Sequence, residues 1–189
     1  LTDKLNASFF QAASPRTAGF FSVPIGQELD RTKILTIILM FIGASPSSTG
    51  GGIKTTTFIV LLATVISVLR NHDDTILMKH KINKSTVYKS LSIFTLSLIF
   101  VFSASALVSF IESSNGVTTI DAVFEVVSAF GTAGLTAGIT EKIHDASKLI
   151  LSFVMFLGKV GPLALILSLT ITNMKRSERV LPEGRIIVG

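Results

Sequence analysis

The triplet Thr-Ala-Gly occurs twice, at Thr17-Ala18-Gly19 and at Thr132-Ala133-Gly134, an offset of 115, and each copy follows a short apolar stretch. Glycine admits backbone angles that other residues resist, so Gly19 and Gly134 allow the chain to turn its carbonyls toward one side. Bare carbonyl oxygens facing a water-filled cavity can replace the hydration shell of a cation. Within a membrane, irregular backbone persists only where protein or such a cavity satisfies its polar groups. A lone Thr-Ala-Gly would read as an ordinary turn. Two copies, each behind an apolar helix too short to span, point to cation coordination by Thr17, Ala18, Gly19, Thr132, Ala133 and Gly134.

Two further features carry charge or freedom in unusual places. Lys159 sits near the midpoint of the apolar run Leu149 to Thr172, where a buried charge is costly and by default functional. Its structural alternative is a pairing with a buried acid of a neighbouring repeat. Ser45 to Thr57, with Gly50, Gly51 and Gly52 in a row, breaks a second apolar run. It ends in Lys54-Thr55, but a phosphate-binding loop needs glycine directly before the lysine, and Ile53 stands there. Lys54 reads equally as a latch on this loop or as a cation snorkelling away from it. Glu125, in the short apolar stretch before the second triplet, is expected to accept from backbone amides and brace the turn. Arg16 is expected to pair with an acid. Asp30 and Asp145 are expected to cap the helices that follow, where a negative charge suits the dipole.

Other chemistries are poorly supplied. The chain has no cysteine, and His72, His80 and His144 lack ligand spacing. No nucleophile and base stand together. The sequence therefore predicts no enzyme, no organic cofactor and no metal site other than the cation in the turns.

The elements that position these residues follow from composition. Charged residues make up 15% of the chain and apolar ones 48%, with a mean hydropathy of +0.65; soluble proteins carry about 25% charged residues. The net charge of +5 is gathered into two blocks, Arg70 to Lys89 and Lys175 to Arg185, each beside an apolar run. That pattern obeys the positive-inside rule and makes both blocks cytoplasmic, rather than a nucleic-acid face. Val87 to Ile111 is long enough to span a bilayer, which takes about 20 residues. Ile34 to Ala44 with Phe58 to Leu69 forms one span broken at its centre, and Leu149 to Thr172 is broken near Gly158 and Pro162. Thr119 to Phe130 is too short to cross, so Thr119 to Thr140 must enter and leave on the outer side as a pore loop.

The two halves are related by duplication. Phe10 to Ser14 resembles Phe124 to Ser128 at an offset of 114, and Asp30, Lys33, Met40, Phe41 and Gly43 meet Asp145, Lys148, Met155, Phe156 and Gly158 at 115. The expected architecture is an all-α membrane protein with two pore-loop repeats and broken second helices. Residues 1–70 form one repeat lacking its first helix, 71–84 a cytoplasmic loop, 85–174 a complete repeat, and 175–189 a cytoplasmic tail. Two such units enclose a pore poorly, so the chain is expected to be part of something longer.

The strings Gly43-Ala44-Ser45-Pro46-Ser47-Ser48-Thr49-Gly50-Gly51-Gly52-Ile53-Lys54-Thr55, Ser14-Pro15-Arg16-Thr17-Ala18-Gly19-Phe20 and Phe130-Gly131-Thr132-Ala133-Gly134-Leu135 resemble the Trk/Ktr/HKT superfamily of potassium transporters, and within it the KtrB-type membrane subunits. The resemblance covers essentially the whole chain. It implies four repeats around one pore, with Gly19 and Gly134 as the third and fourth filter glycines. It implies potassium uptake across the cell membrane by a multi-pass protein, with sodium as a second candidate ion. Ser45, Gly50, Gly51, Gly52 and Lys54 would belong to an intramembrane gating loop, and Lys159 to an electrostatic barrier where the family more often has Arg. Arginine offers a planar fork and lysine a point charge, which alters any latch made there. The expected partners are membrane lipid, a second copy in a homodimer, and a cytosolic nucleotide-binding RCK/KTN ring contacted by the basic loop and by Pro182 to Arg185. An ion-coupled secondary transporter, with a midplane site in broken helices, is the alternative.

Overall fold

The computed structural model describes residues 2–21, 24–46, 48–72 and 74–161. Among them are six α-helices: α1 (Thr2–Ala13), α2 (Asp30–Phe41), α3 (Thr55–Leu69), α4 (Lys84–Ile111), α5 (Thr119–Gly131) and α6 (Asp145–Val160). Local chemistry sets several of the boundaries. Asn83 caps α4 by accepting from Ser85 N at 3.1 Å, and Thr118 caps α5 by accepting from Asp121 N at 3.2 Å. Each satisfies an amide that the first helical turn leaves without a partner. Beyond α4 a 3-10 turn, Glu112–Asn115, closes on Gly116 in the left-handed region.

The break expected between the two apolar halves of the first span is present. Strand-like pairing of Ile42 with Ile53, together with Ile53 N donating to Phe41 O at 3.2 Å, brings the chain back beside its point of departure. Residues 43–52 thus form a loop pinched at its base, and α3 continues from it.

α5 is the centre of the fold. Ala122 and all of Phe124 to Gly131 are buried, packed between α2, α4 and α6. Phe130 stacks on Phe41 at 6.0 Å between centroids and leans on Phe100 at 6.4 Å. Ser97 and Ser147 are fully enclosed, whereas Phe102, Phe110, Leu69 and Leu149 lie exposed on the exterior. Enclosed serines within an apolar core, with large apolar residues left on the exterior, match packing between membrane helices. One described helical segment, Lys84–Asn115, is long and apolar enough to cross a membrane; α3 is apolar but shorter.

Some expectations shift. Leu29 and His144, not Asp30 and Asp145, occupy the cap positions of α2 and α6; the two aspartates are the first residues inside and make no capping bond, though their charge still suits the dipole. Helix α4 begins three residues before Val87. The segment read as a plain loop holds a hairpin, β1 (Ile76–Leu77) with β2 (His80–Lys81), clipped by Lys81 against Asp74 at 2.6 Å. That hydrogen bond holds the Asp74 carboxyl below its ordinary value. Helix α6 ends at Val160 with Gly161 in a positive-φ conformation. Pro162, the rest of the last span and the basic tail lie outside the described residues.

Candidate cation site

Each triplet follows its helix through a left-handed step. Thr17 and Thr132 have φ of 69° and 50°, and Gly19 and Gly134 have 72° and 79°. The glycines were expected to take this region; the threonines were not, since a β-branched residue there is a genuine outlier. The amides of both turns fold back onto the helix ends. Ala18 N donates to Ser14 O at 3.1 Å, and Ala133 N to Ser128 O at 2.9 Å. With the amides so engaged, no carbonyl of Thr17, Ala18, Gly19, Thr132, Ala133 or Gly134 accepts a hydrogen bond among the described residues. Six oxygens are left available in two stretches of irregular backbone.

The two turns lie against each other. A Cβ on Gly19 would stand 2.8 Å from Ala133 O, and one on Gly134 would stand 3.4 Å from the Cα of Gly19. The serines at equivalent repeat positions do the same work: Ser14 Oγ donates to Phe20 O, and Ser128 Oγ donates to Leu135 O at 2.6 Å. Beside the second turn opens a cavity of about 670 Å³ lined by Glu125, Thr132, Gly134, Thr136 and Thr140 among others.

Glu125 is buried on α5 and reaches across to the segment leaving the turn. Its Oε1 accepts from Ala137 N at 3.1 Å and from Thr136 Oγ1, and its Oε2 accepts from Thr140 Oγ1 at 3.1 Å. The expected brace is there, built from one amide and two hydroxyls. Arg16 is exposed and forms no ion pair with a carboxylate among the described residues, contrary to expectation.

The glycine-rich loop packs against both turns. Gly51 N donates to Thr132 Oγ1 at 2.7 Å, and Gly52 N to Gly158 O at 3.3 Å. A Cβ on Gly50 would meet Thr17 Cγ2 at 2.7 Å. Two lysines hold the loop's carbonyls from opposite ends. Lys54 Nζ donates to Gly50 O at 2.6 Å and to Ser48 O at 3.3 Å. Lys159 Nζ, from the last turn of α6, donates to Thr49 O, so its described partner is a carbonyl and not an acid. Ser45 is exposed and closes a local turn by accepting from Ser48 N at 3.1 Å.

Two buried polar groups escaped the sequence reading. Lys33, at the start of α2, reaches Asp121 on α5 at 2.7 Å with both side chains largely enclosed. Glu112 is fully buried and accepts from His144 N at 2.9 Å, Asn115 Nδ2 at 2.7 Å and Ser147 Oγ, joining the end of α4 to the start of α6. A lysine and a glutamate at the margins of apolar runs were the available signals.

Comparison with known proteins places this geometry. Residues 2–179 match the family described as TrkH, cation transport protein. The Ktr system potassium uptake protein B of Bacillus subtilis (strain 168) is 40% identical over 189 residues, which is 100% of this chain and 41% of that protein. Its namesake from Vibrio alginolyticus is 40% identical over 97% of this chain and 39% of its own. The potassium/sodium uptake protein NtpJ of Enterococcus hirae is 33% identical over 100% of this chain and 42% of its own. The chain thus spans about two fifths of the length of these relatives. Among solved structures, the potassium transporter TrkH from Vibrio parahaemolyticus superposes with a TM-score of 0.74 at 20% identity, over 90% of this chain and 38% of that one. At that identity the likeness is one of fold.

Proposed function

From the premise that this chain belongs to the TrkH family of cation transport proteins, we propose that it forms half of a potassium uptake pore whose filter is lined by the carbonyls of Thr17 to Gly19 and Thr132 to Gly134. Membrane character and cation transport follow from the family, and the chain is not an enzyme. The observation that carries the reading is the meeting of Gly19 and Gly134, backbone to backbone, at turns whose carbonyls accept no hydrogen bond among the described residues. Carbonyl oxygens without internal partners can exchange places with a cation's water at small cost, because they are dipoles already held in place.

In this reading the loop at residues 43–52 is the gate. It sits on both threonines of the turns and is held shut by Lys54 and Lys159. Residues 1–70 and 85–174 act as two of four repeats, crossing the membrane several times, with the loop at 71–84 and the tail on the cytoplasmic side. Potassium is the ion, as in the names of the Ktr relatives, and sodium competes or accompanies it, as the name of NtpJ allows. A second copy and a cytosolic nucleotide-binding ring are the partners this family reading supplies.

The test is rubidium flux into vesicles carrying the full-length protein, with sodium as competitor. A pore gives uncoupled flux down the rubidium gradient. Strictly coupled, saturable flux without leak would support the secondary-transporter alternative and remove this one.

A further inference from the structure

Each glycine turn is tethered at two points by side chains three residues apart, on the preceding helix or just beyond its end, and residues at that spacing share a face. In the second unit Ser128 takes Leu135 O, and Glu125 takes Ala137 N with the hydroxyls of Thr136 and Thr140. In the first unit Ser14 takes Phe20 O, and Gln11, at the repeat position of Glu125, donates from Nε2 to Glu28 Oε1 at 2.8 Å. The same helical position therefore reaches past the turn to the segment leaving it in both units. The polarity is exchanged: the carboxylate belongs to the helix in one unit and to the departing segment in the other.

We propose that Gln11 and Glu125 are positioning residues for ion discrimination, fixing the departing segments and through them the spacing of the carbonyls at Gly19 and Gly134. The proposal rests on the filter reading above. The turn carbonyls have no hydrogen bonds among the described residues to hold them, and glycine gives the turn little stiffness. Their spacing is therefore set by where the chain is anchored on either side. Upstream the anchor is the helix end; downstream it is the serine and the residue three before it. A filter distinguishes cations by the number and arrangement of its oxygens, so slack in the downstream anchor appears as lost discrimination. The exchanged polarity indicates that the contact matters and the side bearing the charge does not. The two anchors are unequal. Glu125 uses both oxygens, whereas Gln11 Oε1 and Glu28 Oε2 are buried without a hydrogen-bond partner among the described residues.

The experiment measures sodium competition against rubidium flux in vesicles containing the full-length protein. Glu125→Ala removes three hydrogen bonds to a carboxylate and should strengthen sodium competition by at least about tenfold, the change expected from losing even one of them. Gln11→Glu sets two carboxylates against each other and should do the same. Adding Glu28→Gln to it restores the bond with its direction reversed and should bring competition back to within about twofold of the parent, roughly the experimental scatter of such energies. A pair of substitutions no better than Gln11→Glu alone overturns the proposal, as does a folded Glu125→Ala protein with unchanged competition. Should Glu125→Ala not fold, the exchange at positions 11 and 28 decides alone. A parent protein that moves no rubidium would remove the filter reading itself, whereas failure of the exchange in a conducting protein removes only this inference.

Discussion

Gly19 and Gly134 touch through their backbones: a Cβ on Gly134 would lie 3.4 Å from the Cα of Gly19, and a Cβ on Gly19 only 2.8 Å from Ala133 O. Both residues have positive φ, so any substitution there combines backbone strain with intrusion between the turns. Placing an L-residue in this region costs about 1–2 kcal/mol, a factor of roughly 5–30 in any equilibrium it governs. Gly134→Ser should therefore reduce the preference for rubidium over sodium by about that factor while the protein still assembles. Competition flux in vesicles reads this directly, and an unchanged preference would place the site elsewhere.

The duplication explains why so much of this was legible. Helices α2, α5 and α6, the break after α2 and the paired glycines all follow from apolar runs, their lengths and an offset that repeats across three blocks. Glu125 was legible because an acid in a short apolar helix needs donors, and the turn ahead of it had them. What stayed hidden depends on contacts between distant elements. Nothing local at Lys33 names Asp121, and nothing at Glu112 names His144 and Ser147 on α6. The left-handed φ of Thr17 and Thr132 runs against residue preference, and only the packing of the turns requires it. Which residues the Gly-rich loop would meet was likewise set by three elements converging.

The glycines separate into those that admit a neighbour and those that only bend. At Gly158 a Cβ would run into the backbone of Phe130, so α6 would have to move away from α5, the buried centre of the fold. At Gly138 the φ is +87° but nothing lies within 4 Å. Gly138→Ala should thus cost only the strain of about 1–2 kcal/mol. Gly158→Ala, within α6 and without a left-handed φ, carries no such strain, but it drives a Cβ into the Phe130 backbone, overpacking at the upper end of the usual range, about 3 kcal/mol or more. Thermal unfolding of the detergent-solubilised protein should rank them in that order, and equal losses would contradict the packing described.

Lys159 and Lys54 hold consecutive carbonyls of one loop, Thr49 O from α6 and Gly50 O from the start of α3. A hydrogen bond from a charged donor contributes about 1.5–3 kcal/mol, so losing one shifts a closed loop toward an open one by roughly 10- to 100-fold. If the proposed pore runs past this loop, Lys159→Met also takes a positive charge from the path of the cation, and both effects act in the same direction. Rubidium flux should rise in Lys159→Met and in Lys54→Met. A fall in flux in both would mean that the lysines hold the loop in its conducting form.

The ion pair of Lys33 with Asp121 ties the first turn of α2 to the first turn of α5, so it joins the two repeats on the side from which their helices start. Asp121 is also held by Thr118 Oγ1 at 2.8 Å, which fixes the carboxylate before the lysine arrives. Burying two charges is expensive, and their attraction only offsets that expense, so the pair adds little against well-packed apolar residues. Breaking it is another matter. Asp121→Asn leaves an enclosed ammonium without its counter-charge and should destabilise the protein by about 3–5 kcal/mol. Replacing both, Lys33→Met with Asp121→Leu, should recover most of that loss in thermal unfolding, with the coupling energy read from the double-mutant cycle. If the double replacement unfolds as early as Asp121→Asn, the pair does more than neutralise itself: its directed bond then sets how the two repeats meet, and Gly19 should lose its place beside Gly134 in both variants alike.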